Sequence, residues 1–143
     1  MPVLMLSLLG PVHACAQAPP DRVEEQYGIA AGYYERGEYV EAIQAFRQLI
    51  QSHPDSAEAA MSHFVLGESL LQTRDHRAAY PAYQIFLQRV PDHPHAKRTT
   101  FRLAECAFHL DWQEQAVQLF ERFIERYPND QLNEFALNYL GEV

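Results

Sequence analysis

The feature that most constrains this chain is a self-similarity at 37 residues. Small residues stand at Ala30, Gly67, Ala104 and Gly141, each 37 positions after the last, and each follows a large aliphatic residue: Ile29, Leu66, Leu103 and Leu140. Twelve positions on come Ala42, Ala79 and Ala116, then the aromatics Phe46, Tyr83 and Phe120, then Leu49, Phe86 and Phe123. Each unit closes on a proline, at Pro54, Pro91 and Pro128, followed by Asp55, Asp92 and Asn129. A repeat of this length is the mark of a stacked array, in which one small unit is copied and adjacent copies complete each other's core.

Inside a unit the apolar spacing is helical. In the third unit Leu103, Ala104, Ala107 and Phe108 fall on one helical face, a turn follows at Leu110-Asp111-Trp112, and Ala116, Val117, Phe120, Phe123, Ile124 and Tyr127 form a second stripe. Each unit is therefore a helix A, a tight turn and a helix B. The spacing predicts helices at about 22–36, 39–52, 57–73, 76–90, 95–110, 113–127 and 131–143, and hence an all-α fold. The small columns let helices A and B approach closely, and the proline with its following Asp or Asn ends helix B in a turn. Pro81 is out of pattern, because its equivalents are Gln44 and Gln118. If its helix starts near His76, the proline predicts an irregularity there; if it starts near Ala78, the proline falls in the tolerated first turn.

The first residues are a different kind of sequence. Val3 to Val12 is almost wholly apolar, too short to span a bilayer, and is followed by the small residues around Ala14-Cys15-Ala16. We expect residues 1–16 to be a secretory or lipoprotein signal, with Cys15 the candidate lipidation site and membrane tether, although no Lys or Arg precedes Arg22. Residues 17–22 would be a linker. The solenoid would occupy 23–143, in units of about 23–59, 60–96 and 97–133 and a partial unit at 134–143. The expected location is periplasmic or at the outer membrane, and cytoplasmic if the segment is not a signal. Net charge is −8 with scattered Lys and Arg, which argues against nucleic acid as a partner.

The motif small-x-x-large, then Ala, aromatic and Pro, resembles the tetratricopeptide repeat family over residues 23–143. That resemblance implies a right-handed α-solenoid of about three and a half helix-turn-helix repeats. Two departures from the usual pattern are three extra residues after each proline and the absence of a large aromatic at Gln26, His63, Thr100 and Leu137. The 37-residue period, with Leu66-Gly67-Glu68, Leu103-Ala104-Glu105 and Leu140-Gly141-Glu142, resembles a bacterial envelope branch that includes the periplasmic Tol-Pal-associated coordinator and the lipoprotein of the β-barrel assembly machine. The function this implies is a protein-interaction scaffold or coordinator of the cell envelope, its partner another protein. A fragment of a longer multi-repeat protein is the alternative.

No residues point to catalysis. The sequence has no Gly-rich phosphate loop and no nucleophile–histidine motif, and Glu68, Glu105 and Glu142 obey the repeat where an active site would break it. We expect no enzyme activity, no small-molecule substrate, no cofactor and no metal. His93-Pro94-His95 reads as a solvated loop, and Cys106 as a buried small filler, since Gly32 and Ser69 share its column. The candidate partner site is the helix A surface on the concave side. There Tyr27, Phe64 and Phe101 precede the small column, Tyr34, Leu71 and Phe108 follow it, and Glu68 and Glu105 lie between. Such a stripe predicts a peptide or helical segment with apolar anchors and basic residues.

Overall fold

The computed structural model describes residues 20–143, so the signal reading of 1–16 and Cys15 lie outside the described residues. These residues form seven α-helices: α1 (Pro20–Glu35), α2 (Tyr39–Ser52), α3 (Ala57–Gln72), α4 (His76–Arg89), α5 (Ala96–His109), α6 (Gln113–Arg126) and α7 (Asn133–Glu142). Helices α1, α3, α5 and α7 are the A helices, and α2, α4 and α6 the B helices. Each packs on the next in sequence, and α1 also touches α3. The result is the expected solenoid. Its first helix starts at Pro20, inside the stretch expected as linker; proline at the first helical position costs no hydrogen bond.

The turns repeat as faithfully as the side chains. Every complete A helix ends on a residue in the left-handed region, Gly37 at φ 75°, Arg74 at 61° and Asp111 at 58°. The amide one residue later donates back to the carbonyl five positions earlier: Glu38 to Tyr33, Asp75 to Leu70 and Trp112 to Ala107, at 2.8–3.0 Å. This closes the helix by satisfying carbonyls that would otherwise lack a donor. Only the first unit uses glycine there, and Arg74 and Asp111 accept the steric cost of about 1 kcal/mol. Helix B always ends on the residue before proline, at His53, Val90 and Tyr127, which leaves the helical region because the proline ring excludes it.

The core is the set of small and aromatic columns. Ala30, Ala104, Ala42, Ala79 and Ala116 are fully buried, as are Phe46, Tyr83, Phe120, Phe86 and Phe123. The tightest contact is in the second unit, where Gly67 of α3 meets the ring of Tyr83 of α4. A Cβ at Gly67 would lie 2.6 Å from that ring, closer than any real contact. The first and third units carry alanine at this position against phenylalanine. The glycine is thus needed for a tyrosine that sits nearer to the helix.

Helix α4 runs without interruption from His76, with Pro81 inside it and exposed to solvent. The start is the one that puts the proline beyond the first turn, so its missing N–H leaves the Arg77 carbonyl without a helical donor. The irregularity expected for this start is that one missing bond, and the helical assignment continues through it. Cys106 is buried as expected, and its burial pushes the thiol up to about 12. The loop of His93-Pro94-His95 lies at the surface with His95 exposed, and its rings also pack inward: that of His95 stacks on Phe64 at 4.5 Å, and His93 sits edge-on to Phe86 at 5.5 Å.

Gly67→Ala should lower stability by about 1–3 kcal/mol through overpacking against Tyr83, and Gly67→Leu by more. Gly141→Ala, in the same column of α7 where a Cβ meets nothing within 4 Å, should be neutral or slightly stabilising. Urea midpoints of the two alanine variants check this, and equal midpoints would contradict the packing.

Candidate partner-binding face

Helix α1 carries Tyr27 and Tyr34, α3 carries Phe64, Glu68 and Leu71, and α5 carries Phe101, Glu105 and Phe108. The repeat brings these eight onto successive A helices, but it divides them by depth. Tyr27, Phe64 and Phe101 turn toward helix B: Tyr27 meets Phe46 edge-on at 5.7 Å, Phe64 meets Phe86 at 5.3 Å, and Phe101 meets Phe120 and Phe123 at 5.7 and 5.4 Å. Phe64 and Phe101 are buried, so these aromatics are core of their own units rather than open surface. Tyr34, Leu71 and Phe108 are only partly buried and keep an accessible edge.

The glutamate column also differs from expectation. Glu68 is buried, and its carboxylate accepts the Tyr83 hydroxyl at 2.7 Å and an Arg98 N–H at 2.5 Å, with the Arg102 Nε at 3.6 Å. Glu105 accepts an Arg102 N–H at 2.6 Å and the Tyr139 hydroxyl at 3.1 Å. Burying a carboxylate is costly unless donors surround it, and here they come from the next A helix as well as from helix B. The column therefore ties units together. The burial that holds these contacts, with the adjacent carboxylates, raises the phenol of Tyr83 well above its ordinary range and that of Tyr139 to about 12.

The sequence reading missed the cations. Arg98 and Arg102 lie one helical turn apart on the accessible side of α5, and neither belongs to a repeated column. With the carboxylates beneath them, they are what the surface presents: the side chains of Arg98 and Arg102 are 53% and 31% exposed, those of Glu68 and Glu105 only 5% and 14%. The expected preference for a basic segment is not supported by this arrangement. Beside the arginines runs a groove of about 200 Å³ lined by Glu68, Leu71, Gln72, His76, Arg102, Glu105 and His109. A second, lined by Phe108, His109, Asp111, Gln113, Glu142 and Val143, adjoins it at His109. The rings of His76 and His109 stack at 4.4 Å, and the His76 Nδ1 is buried without a partner. Among the described residues no group of three or more His, Cys, Asp or Glu side chains could hold a metal ion.

Three histidines are held below their ordinary range. Burial is the first cause for His63, His76 and His95, seconded by Arg89 at His63, by His109 at His76 and by His93 at His95. A base whose pKa is depressed on folding takes its proton more readily when unfolded, so its contribution to stability is present above about pH 6.5 and lost as pH falls. The melting temperature should therefore drop between neutral and mildly acidic pH. Replacing His63, whose Nδ1 is buried without a partner, by leucine should flatten part of that drop, since Leu137 fills the same column. An unchanged pH profile in His63→Leu would contradict the assignment.

Two family models, both described as tetratricopeptide repeat, match residues 26–56 and 64–131, together more than half of the chain. Among solved structures, the tetratricopeptide repeat domain of Arabidopsis FLU superposes with a TM-score of 0.63 at 20% identity, covering 77% of this chain and 98% of that one. MamA, from residue 41 to its end, of Desulfovibrio magneticus RS-1 superposes at 0.66 with 14% identity, covering 84% and 72%. Curated protein sequences give no significant match. At these identities the structures speak to the fold alone, and the repeat matches to ancestry: this chain belongs to the tetratricopeptide repeat family.

Proposed function

We propose that this chain is a protein–protein interaction scaffold of the bacterial cell envelope, gripping an extended or helical segment of its partner along the A-helix face. The observation that carries the reading is the row of Tyr34, Leu71 and Phe108. They recur at the 37-residue period on successive A helices, and all stay partly accessible while the columns around them are buried. An apolar row beside polar grooves gives a segment both anchors and orientation. Burial of Phe64 and Phe101 supports this row, rather than those two aromatics, as the contact surface of the proposed reading. The envelope setting rests on the apolar run of Val3 to Val12 and the Ala14-Cys15-Ala16 that follows it, with Cys15 as candidate lipid anchor.

Site-specific photo-crosslinking in a bacterial host tests both parts. A photoreactive residue at Leu71 or at Phe108 should give an adduct with one common protein, recovered from the envelope fraction. The same residue at Gln88, exposed on the B helix α4, should give none. Adducts from Gln88 alone would move the site to the B helices, and adducts from the cytoplasmic fraction would remove the envelope assignment.

A further inference from the structure

We infer that the partner segment held on the A-helix face is acidic, and that Arg98 is the residue that selects it. This rests on the reading of that face as the partner site and adds the sign of the charge it prefers. The argument is one of depth. Arg98 and Arg102 on α5 balance Glu68 and Glu105 one for one, so the cluster has little net charge. A partner, however, approaches from the solvent side, where guanidinium is exposed and carboxylate is not. Coulomb attraction falls with distance and with screening, so the outer layer decides the preference.

The hydrogen-bond accounting agrees. A guanidinium has five N–H donors in a fixed fork. Among the described residues, Arg98 spends one terminal nitrogen on Glu68, and Arg102 one on Glu105. The Nε and the second terminal nitrogen of Arg98 have no partner among the described residues and are available to a carboxylate from outside, with Tyr34 near Arg98 and Leu71 beside Arg102 for apolar contact. Tyr34 feels the charges of Glu68, Arg98 and Arg102, which places it at the same cluster. The groove beside Arg102 also holds the stacked His76 and His109. The charged groups facing that pair are Glu105 and Arg102 from α5, Glu68 from α3, Arg74 and Asp75 from the turn before α4, and, on the His109 side, Asp111 and Glu142. The chain's net charge of −8 confines the attraction to this spot and disfavours long polyanions.

Selection from a random linear peptide library on the full chain is the test. Enriched peptides should be rich in Asp and Glu with an interspersed Leu or aromatic. They should bind Arg98→Gln about tenfold more weakly, since a hydrogen bond to a charged group is lost, and weaken further as salt is raised. Glutamine keeps an amide donor toward the buried Glu68, which the Tyr83 hydroxyl also serves, and circular dichroism and the melting temperature check that the variant is folded before its binding is read. Basic or neutral peptides that nonetheless lose binding on Leu71→Ala would overturn the charge inference and leave the face as the site. Peptides indifferent to both Arg98→Gln and Leu71→Ala, or no enrichment at all, would count against the face as well.

Discussion

The structure depends on one residue's two contacts. The Tyr83 ring lies against the bare backbone of Gly67, and its hydroxyl reaches the buried carboxylate of Glu68. The first contact sets how closely α3 and α4 pack. The second supplies one of the donors without which a carboxylate could not stay buried. Glu68 then draws Arg98 and Arg102 from α5, and Arg102 passes the link to Glu105 and so to Tyr139 on α7. An array has interfaces only between neighbours. This chain of polar contacts crosses two of them, alongside the apolar columns.

The same contacts decide what the A-helix face can do. Because Glu68 and Glu105 are spent inside the array, the side chains that reach solvent are the arginines and the partly covered Tyr34, Leu71 and Phe108. In the proposed reading, structure and recognition share one set of residues. Removal of a buried partner from such a network costs far more than trimming an exposed one, so Leu71 and the half-exposed Arg98, replaced by a residue that still donates to Glu68, are better probes than Glu68 or Arg102.

Most of the fold was legible in the sequence, and for a stated reason. A 37-residue period with small and aromatic columns admits few architectures, and the helix positions followed to within a few residues. The site was legible only in part. Phe64 and Phe101 read as surface because periodicity gives a residue's place on its helix but not which neighbour covers that place. Glu68 read as an exposed charge because its arginine partners lie in the next unit and its tyrosine partner on the other helix of its own. A signal was present: Arg102 stands 34 residues after Glu68, and Tyr139 34 after Glu105. That separation is one unit less one helical turn, the offset at which adjacent A helices meet. Pro81 was legible as a departure from its column, but where its helix starts, and hence that the proline lies beyond the first turn, was not.

Native-state hydrogen exchange on the full chain tests most directly whether the Tyr83 contact is the point on which the array depends. Local opening free energies follow burial and connectivity. The account predicts the slowest exchange at the central amides of α3, α4 and α5, which surround Gly67, Tyr83, Glu68 and Arg102. Exchange should be progressively faster toward α1 and α7, each of which has a neighbour on one side only among the described residues. Uniform protection along the array, or slowest exchange in α1 and α2, would contradict it.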